Sequence, residues 1–210
     1  MKNKKFNKKY VIIIALVAAT GGFIFGFDAG VISGAVNFLQ DPKGWGATDS
    51  QIEWITTAVL IGAILGAGFS GRITDIFGRK KVIITAAVIF ASGAIYTGSA
   101  PDILSLVIGR IILGVAVGIA SFVVPLYLSE ISPAKMRGAL VSINQLMIAV
   151  GGKVSYLSDF LIADDANPFS WRWMFIVGFF PAAFMLIGMF FLPETPRWLI
   201  SNGYEAKGRS

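Results

Sequence analysis

Gly71-Arg72-Ile73-Thr74-Asp75-Ile76-Phe77-Gly78-Arg79-Lys80-Lys81 stands between two long apolar runs, and its reading decides the fold. A glycine at each end permits a tight, close-packed turn. Asp75 and Arg79 are placed to pair with each other or to cap neighbouring helix ends, which would make the segment a charged latch. The plainer alternative is a basic loop whose Arg79, Lys80 and Lys81 fix the chain at a membrane surface. Both readings require the flanking runs to be membrane spans.

A span takes about 20 largely apolar residues to cross about 30 Å of hydrocarbon. Six runs qualify, at about 10–38, 54–73, 82–100, 103–129, 138–162 and 173–192. None alternates strictly as a barrel strand would, so all six are predicted to be helices. Composition agrees: of 210 residues, 55% are hydrophobic and 14% charged, against about 25% charged in a typical soluble domain. With no cysteine and no histidine, disulfides, thiolate chemistry and imidazole acid–base chemistry are excluded. Any proton chemistry falls to carboxylates.

The net charge of +6 would suggest nucleic acid in a soluble protein, but its distribution points elsewhere. With the amino terminus placed in the cytoplasm, the inner segments hold Lys2, Lys4, Lys5, Lys8, Lys9, Arg72, Arg79, Lys80, Lys81, Lys135, Arg137, Arg197, Lys207 and Arg209. The outer loops hold only Lys43 and Arg172, together with Asp41, Asp49, Asp102, Asp164 and Asp165. This is the positive-inside pattern, and it predicts a multi-pass protein of the cell membrane with both termini cytoplasmic. The bilayer, not nucleic acid, is the implied surroundings. Five lysines before Val11–Ala19 resemble a signal peptide, but the apolar pattern runs on through Phe38, so the segment is expected to stay as the first span.

Two ionisable residues lie deep in spans. Asp28 is the only acid well inside a span, and a buried carboxylate costs about 2.5–3.5 kcal/mol even on a lenient scale, so it needs a cavity or a partner. Arg110 is the candidate: counted from the outer ends at 1.5 Å per residue, the two lie roughly 16 Å and roughly 12 Å deep. The pair is either a switchable proton site or a static bridge between the first and fourth spans. Gln145, a neutral amide in the fifth span, either hydrogen-bonds a ligand hydroxyl or bridges helices. Lys153, about nine residues from the outer end of that span, either snorkels outward or points inward toward Asp28.

Other patterns read structurally. Gly66-Ala67-Gly68-Phe69-Ser70-Gly71 fits GxGxxG, yet no strand precedes it, which argues against a dinucleotide site. Gly62, Gly66, Gly114 and Gly118 are spaced as close-packing helix faces. Trp171 and Trp173 are placed in the interfacial aromatic belt. No Ser–His pair, paired aspartates or His cluster lies in the spans, so neither an enzyme, a metal site nor a cofactor is expected.

Taken with the 71–81 loop, several further segments resemble the major facilitator superfamily, and its sugar porter family in particular, along the whole chain. They are Gly21–Asp28 running into Gly30–Gly34; Gly109-Arg110; Pro125–Pro133; Arg137-Gly138; Asn144-Gln145-Leu146; Trp171-Arg172-Trp173; and Pro193–Trp198. The resemblance implies an all-α membrane protein, a six-transmembrane-helix bundle equal to the amino-terminal half of a major facilitator fold with a 3+3 inverted repeat. Residues 1–210 would form this half, with 193–210 starting a cytoplasmic linker. Asp28 and Arg110 would be the proton-coupling pair, and Phe25, lipid-facing without the resemblance, would join Gln145 in binding sugar. Gly71, Asp75, Gly78, Arg79 and Lys80 would form the family loop, and Glu130, Arg137, Glu194 and Arg197 the charge pairs of the cytoplasmic gate.

The implied activity is sugar:proton symport by alternating access. Its partners would be a monosaccharide (hexose or pentose), a proton and a missing carboxyl-terminal half. Family members have about twelve spans, and Gly152 and Lys153 replace two bulky apolar residues. A truncated, non-transporting membrane remnant is therefore the alternative.

Overall fold

The computed structural model describes residues 8–133, 136–164 and 166–204. Lys2, Lys4, Lys5, Lys135, Lys207, Arg209, Asp165 and the end of the expected linker lie outside the described residues. The described residues form eight helices: α1 Lys8–Gln40, α2 Asp49–Phe77, α3 Arg79–Gly98, α4 Ile103–Ile131, α5 Arg137–Ile162, α6 Trp171–Val177, α7 Phe179–Phe191 and α8 Pro196–Ser201. Six helical segments are long and apolar enough to cross a membrane, with α6 and α7 together making the sixth, Trp171–Phe191.

Local chemistry sets the helix ends. Thr48 and Gln51 form a reciprocal capping box at the start of α2, with Thr48 N–H donating to Gln51 Oε1 at 2.9 Å and Gln51 N–H to Thr48 Oγ1 at 3.4 Å. Asp102 caps α4 by accepting from Ser105 N–H at 2.8 Å, and that bond holds its carboxyl below the usual carboxylate range. The sixth span, expected as one run over 173–192, begins two residues earlier and breaks at Gly178. Pro181 explains the break: it has no N–H for the carbonyl four residues back, and its ring crowds that carbonyl.

Packing shows an internal exchange. The two most extensive helix pairs are α2 with α4 and α1 with α5. Matching spans 1, 2 and 3 to spans 4, 5 and 6 turns one pair into the other, as a 3+3 repeat requires. Both pairs close through glycine. A Cβ on Gly62 or Gly66 would run into the carbonyl oxygens of Ile111 or Val115, and one on Gly114 or Gly118 into those of Val59 or Ala63. The α1–α5 seam is built likewise, with Gly26 on the Ile148 carbonyl and Gly151 on that of Phe23. With no hydrophobic drive between helices in lipid, such backbone approach supplies the van der Waals contact that holds them together.

Helix α1 is the centre of the bundle. Over residues 21–40 its only exposed residues are Phe25, Ala29, Ser33 and Asn37, four apart and therefore on one stripe. Two apolar clusters fill the interior. One joins Ile24, Phe90, Leu113 and Met185, and the other joins Phe27, Val31, Leu106 and Phe175. Trp171 belongs to the second: it is 1% exposed, with its ring tilted against Trp45 at 4.8 Å and edge-on to Phe175 at 6.2 Å. The belt position expected for it is therefore wrong, because the start of α6 turns this ring inward; Trp173, two residues on, faces out at 61% exposure.

Candidate functional site

Asp28 and Arg110 meet at the junction of the two apolar clusters. Arg110 Nη1 donates to Asp28 Oδ1 at 2.6 Å, with side-chain exposures of 1% for Arg110 and 5% for Asp28. The guanidinium also lies over the Phe175 ring, 5.6 Å from its centroid, and its Nε has no hydrogen-bond partner among the described residues. Beside the pair is a void of about 10 Å3 walled by Phe27, Val31, Phe90, Leu113 and Phe175, at the lower limit for one water. Two opposite charges in such a place are stable only as a pair, since removing either leaves the other buried and uncompensated. The pair bridges α1 and α4 but does not open onto the exposed stripe: one residue beyond Asp28, Ala29 points about 100° away around the helix.

Phe25, 38% exposed, stands at the amino-terminal end of that stripe. Gln145 is exposed on α5, and its side-chain amide makes no hydrogen bond among the described residues. The amide that enters the helix seam is instead Asn144, by packing alone, since its Oδ1 has no hydrogen-bond partner among the described residues. Asn144 is 4% exposed and packs against Gly22, where a Cβ would come 2.6 Å from both its backbone and side-chain oxygens. The one-residue offset, about 100° on a helix, turns one amide into the seam and leaves the other on the open face. Lys153 is exposed on α5 and forms no ion pair among the described residues, so it does not touch Asp28.

The 71–81 segment and the start of α8 form one charged network. Arg79 reaches Asp75 Oδ1 at 3.3 Å and Glu130 Oε2 at 2.9 Å, and donates from Nη2 to Glu130 Oε1 at 3.1 Å and from Nη1 to the Thr74 carbonyl at 3.3 Å. Glu194 caps α3, accepting from the backbone N–H groups of Arg79 and Lys80, each at 3.1 Å. A carboxylate there satisfies free N–H groups at the positive end of the helix dipole. Lys80 Nζ donates to the Phe190 carbonyl at 2.8 Å, and Thr195 Oγ1 to Glu130 Oε2 at 2.8 Å.

Gly78 makes the turn possible: its φ is +93°, and a Cβ would collide with the Glu194 carboxylate. Gly71, by contrast, lies inside α2 and meets only the Phe122 ring, at 3.8 Å. Arg197 stands 3.9 Å from Glu130 Oε1 but is 78% exposed, so its contribution is small. Arg137, exposed at the start of α5, forms no ion pair among the described residues and stands outside this network. The GxGxxG pattern sits within α2, with no strand before it among the described residues.

One buried acid escaped the sequence reading. Asp159, a turn before the end of α5, is 5% exposed and both of its carboxylate oxygens lack hydrogen-bond partners among the described residues. It lies near a span end and was not singled out from the sequence. Its burial comes from Gly34 of α1, which leaves room for it.

With the geometry in hand, comparison with known proteins gives a consistent result. A family model described as "Sugar (and other) transporter" matches residues 14–210. The chain is 41% identical over 201 residues to the galactose-proton symporter of Escherichia coli, covering 96% of this chain and 42% of that protein. It is 41% identical over 191 residues to the D-xylose transporter of Levilactobacillus brevis, covering 91% of this chain and 41% of that one. Among solved structures, the xylose transporter XylE from E. coli, in a partially occluded inward open conformation, superposes with a TM-score of 0.87 at 33% identity, over 95% of this chain and 54% of that one. The chain thus spans less than half the length of these curated relatives, all of which are named as transporters, not enzymes.

Proposed function

This chain belongs to the sugar (and other) transporter family, and from that premise we propose that it forms one wall of an alternating-access sugar carrier, working as a sugar:proton symporter with a second six-helix half. The observation that carries the reading is the arrangement of α1. Its single exposed stripe, Phe25 to Asn37, would line the sugar path beside Gln145 of α5, while Asp28 on the adjoining face is held by Arg110. An acid next to the path, sealed from it and paired with a cation, suits a group that takes a proton only when the bundle opens. The substrate would be a hexose or pentose, in keeping with the named relatives. Residues 1–210 would be the amino-terminal half, and the chain from residue 193 would begin the link to the other half. The Arg79–Glu130–Glu194 network would close the cytoplasmic end.

Two measurements test this. Proteoliposomes holding the 210-residue chain with the carboxyl-terminal half of the E. coli galactose-proton symporter should take up radiolabelled hexose when a pH gradient is applied, and the 210-residue chain alone should not. Saturable uptake by the chain alone would remove the need for a second wall, and no uptake by the combination would remove the sugar reading. The cation asymmetry also places both termini in the cytoplasm. A reporter that works only outside the cytoplasmic membrane, fused after Ser210, should stay inactive; strong activity would reverse the topology.

A further inference from the structure

Arg110 has two neighbours that stabilise a cation, a carboxylate and an aromatic face. The Asp28 carboxylate is 2.6 Å away. The Phe175 ring lies on another side, its centroid 5.6 Å from the guanidinium carbon. That is near the outer limit of about 6 Å for attraction by a ring quadrupole, so the carboxylate dominates while it is ionised. Once Asp28 is protonated, that attraction is gone and Arg110 remains a cation 1% exposed, with no partner on Nε among the described residues. A buried cation in that condition needs a second stabilising contact.

The ring is fixed where such a contact is required. Phe175 is 3% exposed. Trp171, one turn earlier on α6, meets it edge-on at 6.2 Å and is itself braced by Trp45 at 4.8 Å. Asp28 and Phe175 both wall the void of about 10 Å3, which leaves slack beside the ring.

Few other charges bear on Asp28. On α6, Arg172 is engaged elsewhere, donating to the Gly98 carbonyl at 3.2 Å and lying over the rings of Trp45, Phe169 and Trp171. On α5, Lys153 and Tyr156 are exposed, and Asp159 is seated on Gly34, roughly 9 Å farther along α1. The remaining charged and tyrosine residues of α1 to α4 lie in the first or last two turns of their helices, and α7 has none.

We propose that Phe175 is the second seat of Arg110: once Asp28 takes a proton, the guanidinium swings from the carboxyl group onto the ring face, and the strength of that contact sets how readily Asp28 binds the proton. Phe175 is thus a positioning residue that acts on the proton site through Arg110. The inference rests on the reading of Asp28 as the proton carrier. The ring stabilises the protonated state, in which Arg110 leans on it, more than the ionised state, in which Asp28 holds Arg110. Weakening the ring face therefore favours the ionised acid, and a lower pH is needed to protonate it.

The test is infrared titration of the carboxylic acid C=O stretch in the full 210-residue chain in lipid nanodiscs, with Asp28→Asn identifying the Asp28 band. Replacing Phe175 by its mono-, di- and trifluorinated analogues drains the ring face step by step and barely alters its volume. The Asp28 midpoint should move to lower pH in that order, by about 0.5–1 pH unit for the trifluorinated ring, as a cation–π contact of about 0.7–1.4 kcal/mol requires. Phe175→Leu should shift it at least as far in the same direction. Trp173→Leu, which removes an aromatic ring that faces out at 61% exposure, should leave it unchanged.

Equal midpoints across the fluorinated series would overturn the proposal even if Phe175→Leu shifted, because the ring would then act only by filling space. A shift to higher pH would overturn it as well. Either result leaves the symport reading standing. An Asp28 that does not titrate while the chain stays folded would overturn both this proposal and the choice of Asp28 as proton carrier, and the uptake assay judges the sugar separately.

Discussion

Asp28→Asn is expected to abolish sugar accumulation driven by a pH gradient while sugar exchange down its own gradient survives, once a second six-helix half restores transport. Asn keeps the shape of the side chain and an oxygen that Arg110 can still address across the 2.6 Å contact, but it cannot take up or release a proton. Removing one partner of a buried ion pair outright costs about 3–5 kcal/mol; the amide oxygen should retain part of that, so the variant is expected to fold with reduced stability. The measurement is radiolabelled hexose uptake in proteoliposomes with and without a pH gradient, beside counterflow exchange. Accumulation at the wild-type level in Asp28→Asn would make the Asp28–Arg110 pair a structural bridge. Lys153→Leu belongs in the same series. Lys153 is exposed and forms no ion pair among the described residues, so its removal is expected to leave the coupling unaltered.

Gly26→Leu is expected to open the α1–α5 seam. A Cβ at residue 26 would overlap the Ile148 carbonyl and lie 2.7 Å from its carbon. Backbone cannot rotate away as a side chain can, so the helices must part. Overpacking a close contact usually costs about 1–3 kcal/mol, and a collision with backbone belongs at or above the upper end. Gly68→Leu is the matched control, because a Cβ there meets nothing within 4 Å. Thermal unfolding of the two variants in nanodiscs should show a large loss for Gly26→Leu and almost none for Gly68→Leu. Equal stability would mean that the seam does not hold the bundle together.

The helical membrane class was legible because each span must satisfy its own backbone hydrogen bonds in lipid, which makes long apolar runs diagnostic. The Asp75–Arg79 pair, the discounting of GxGxxG and the glycine faces of α2 and α4 were legible from spacing for similar reasons, but the expected 71–81 loop shrinks to a turn at Gly78, because α2 runs on to Phe77 and α3 starts at Arg79. The pairing of Asp28 with Arg110 was reachable as well, since depth along a helix follows from residue count and few charges lie deep.

What the chain order could not decide is which way each side chain faces once six helices pack. Asn144 and Gln145 are chemically alike and adjacent, yet one lies in the seam and the other on the open face. Trp171 and Trp173 divide in the same manner, one into the core and one outward. Asp159, near the end of its span, is buried because Gly34, 125 positions earlier in the sequence, clears its seat. Glu194 caps a helix that begins 115 residues before it. Local sequence determines which segments become spanning helices. Rotation about each helix axis is set by contacts between distant segments, and it decided which of these side chains lie on the open face, in the seam or in the core.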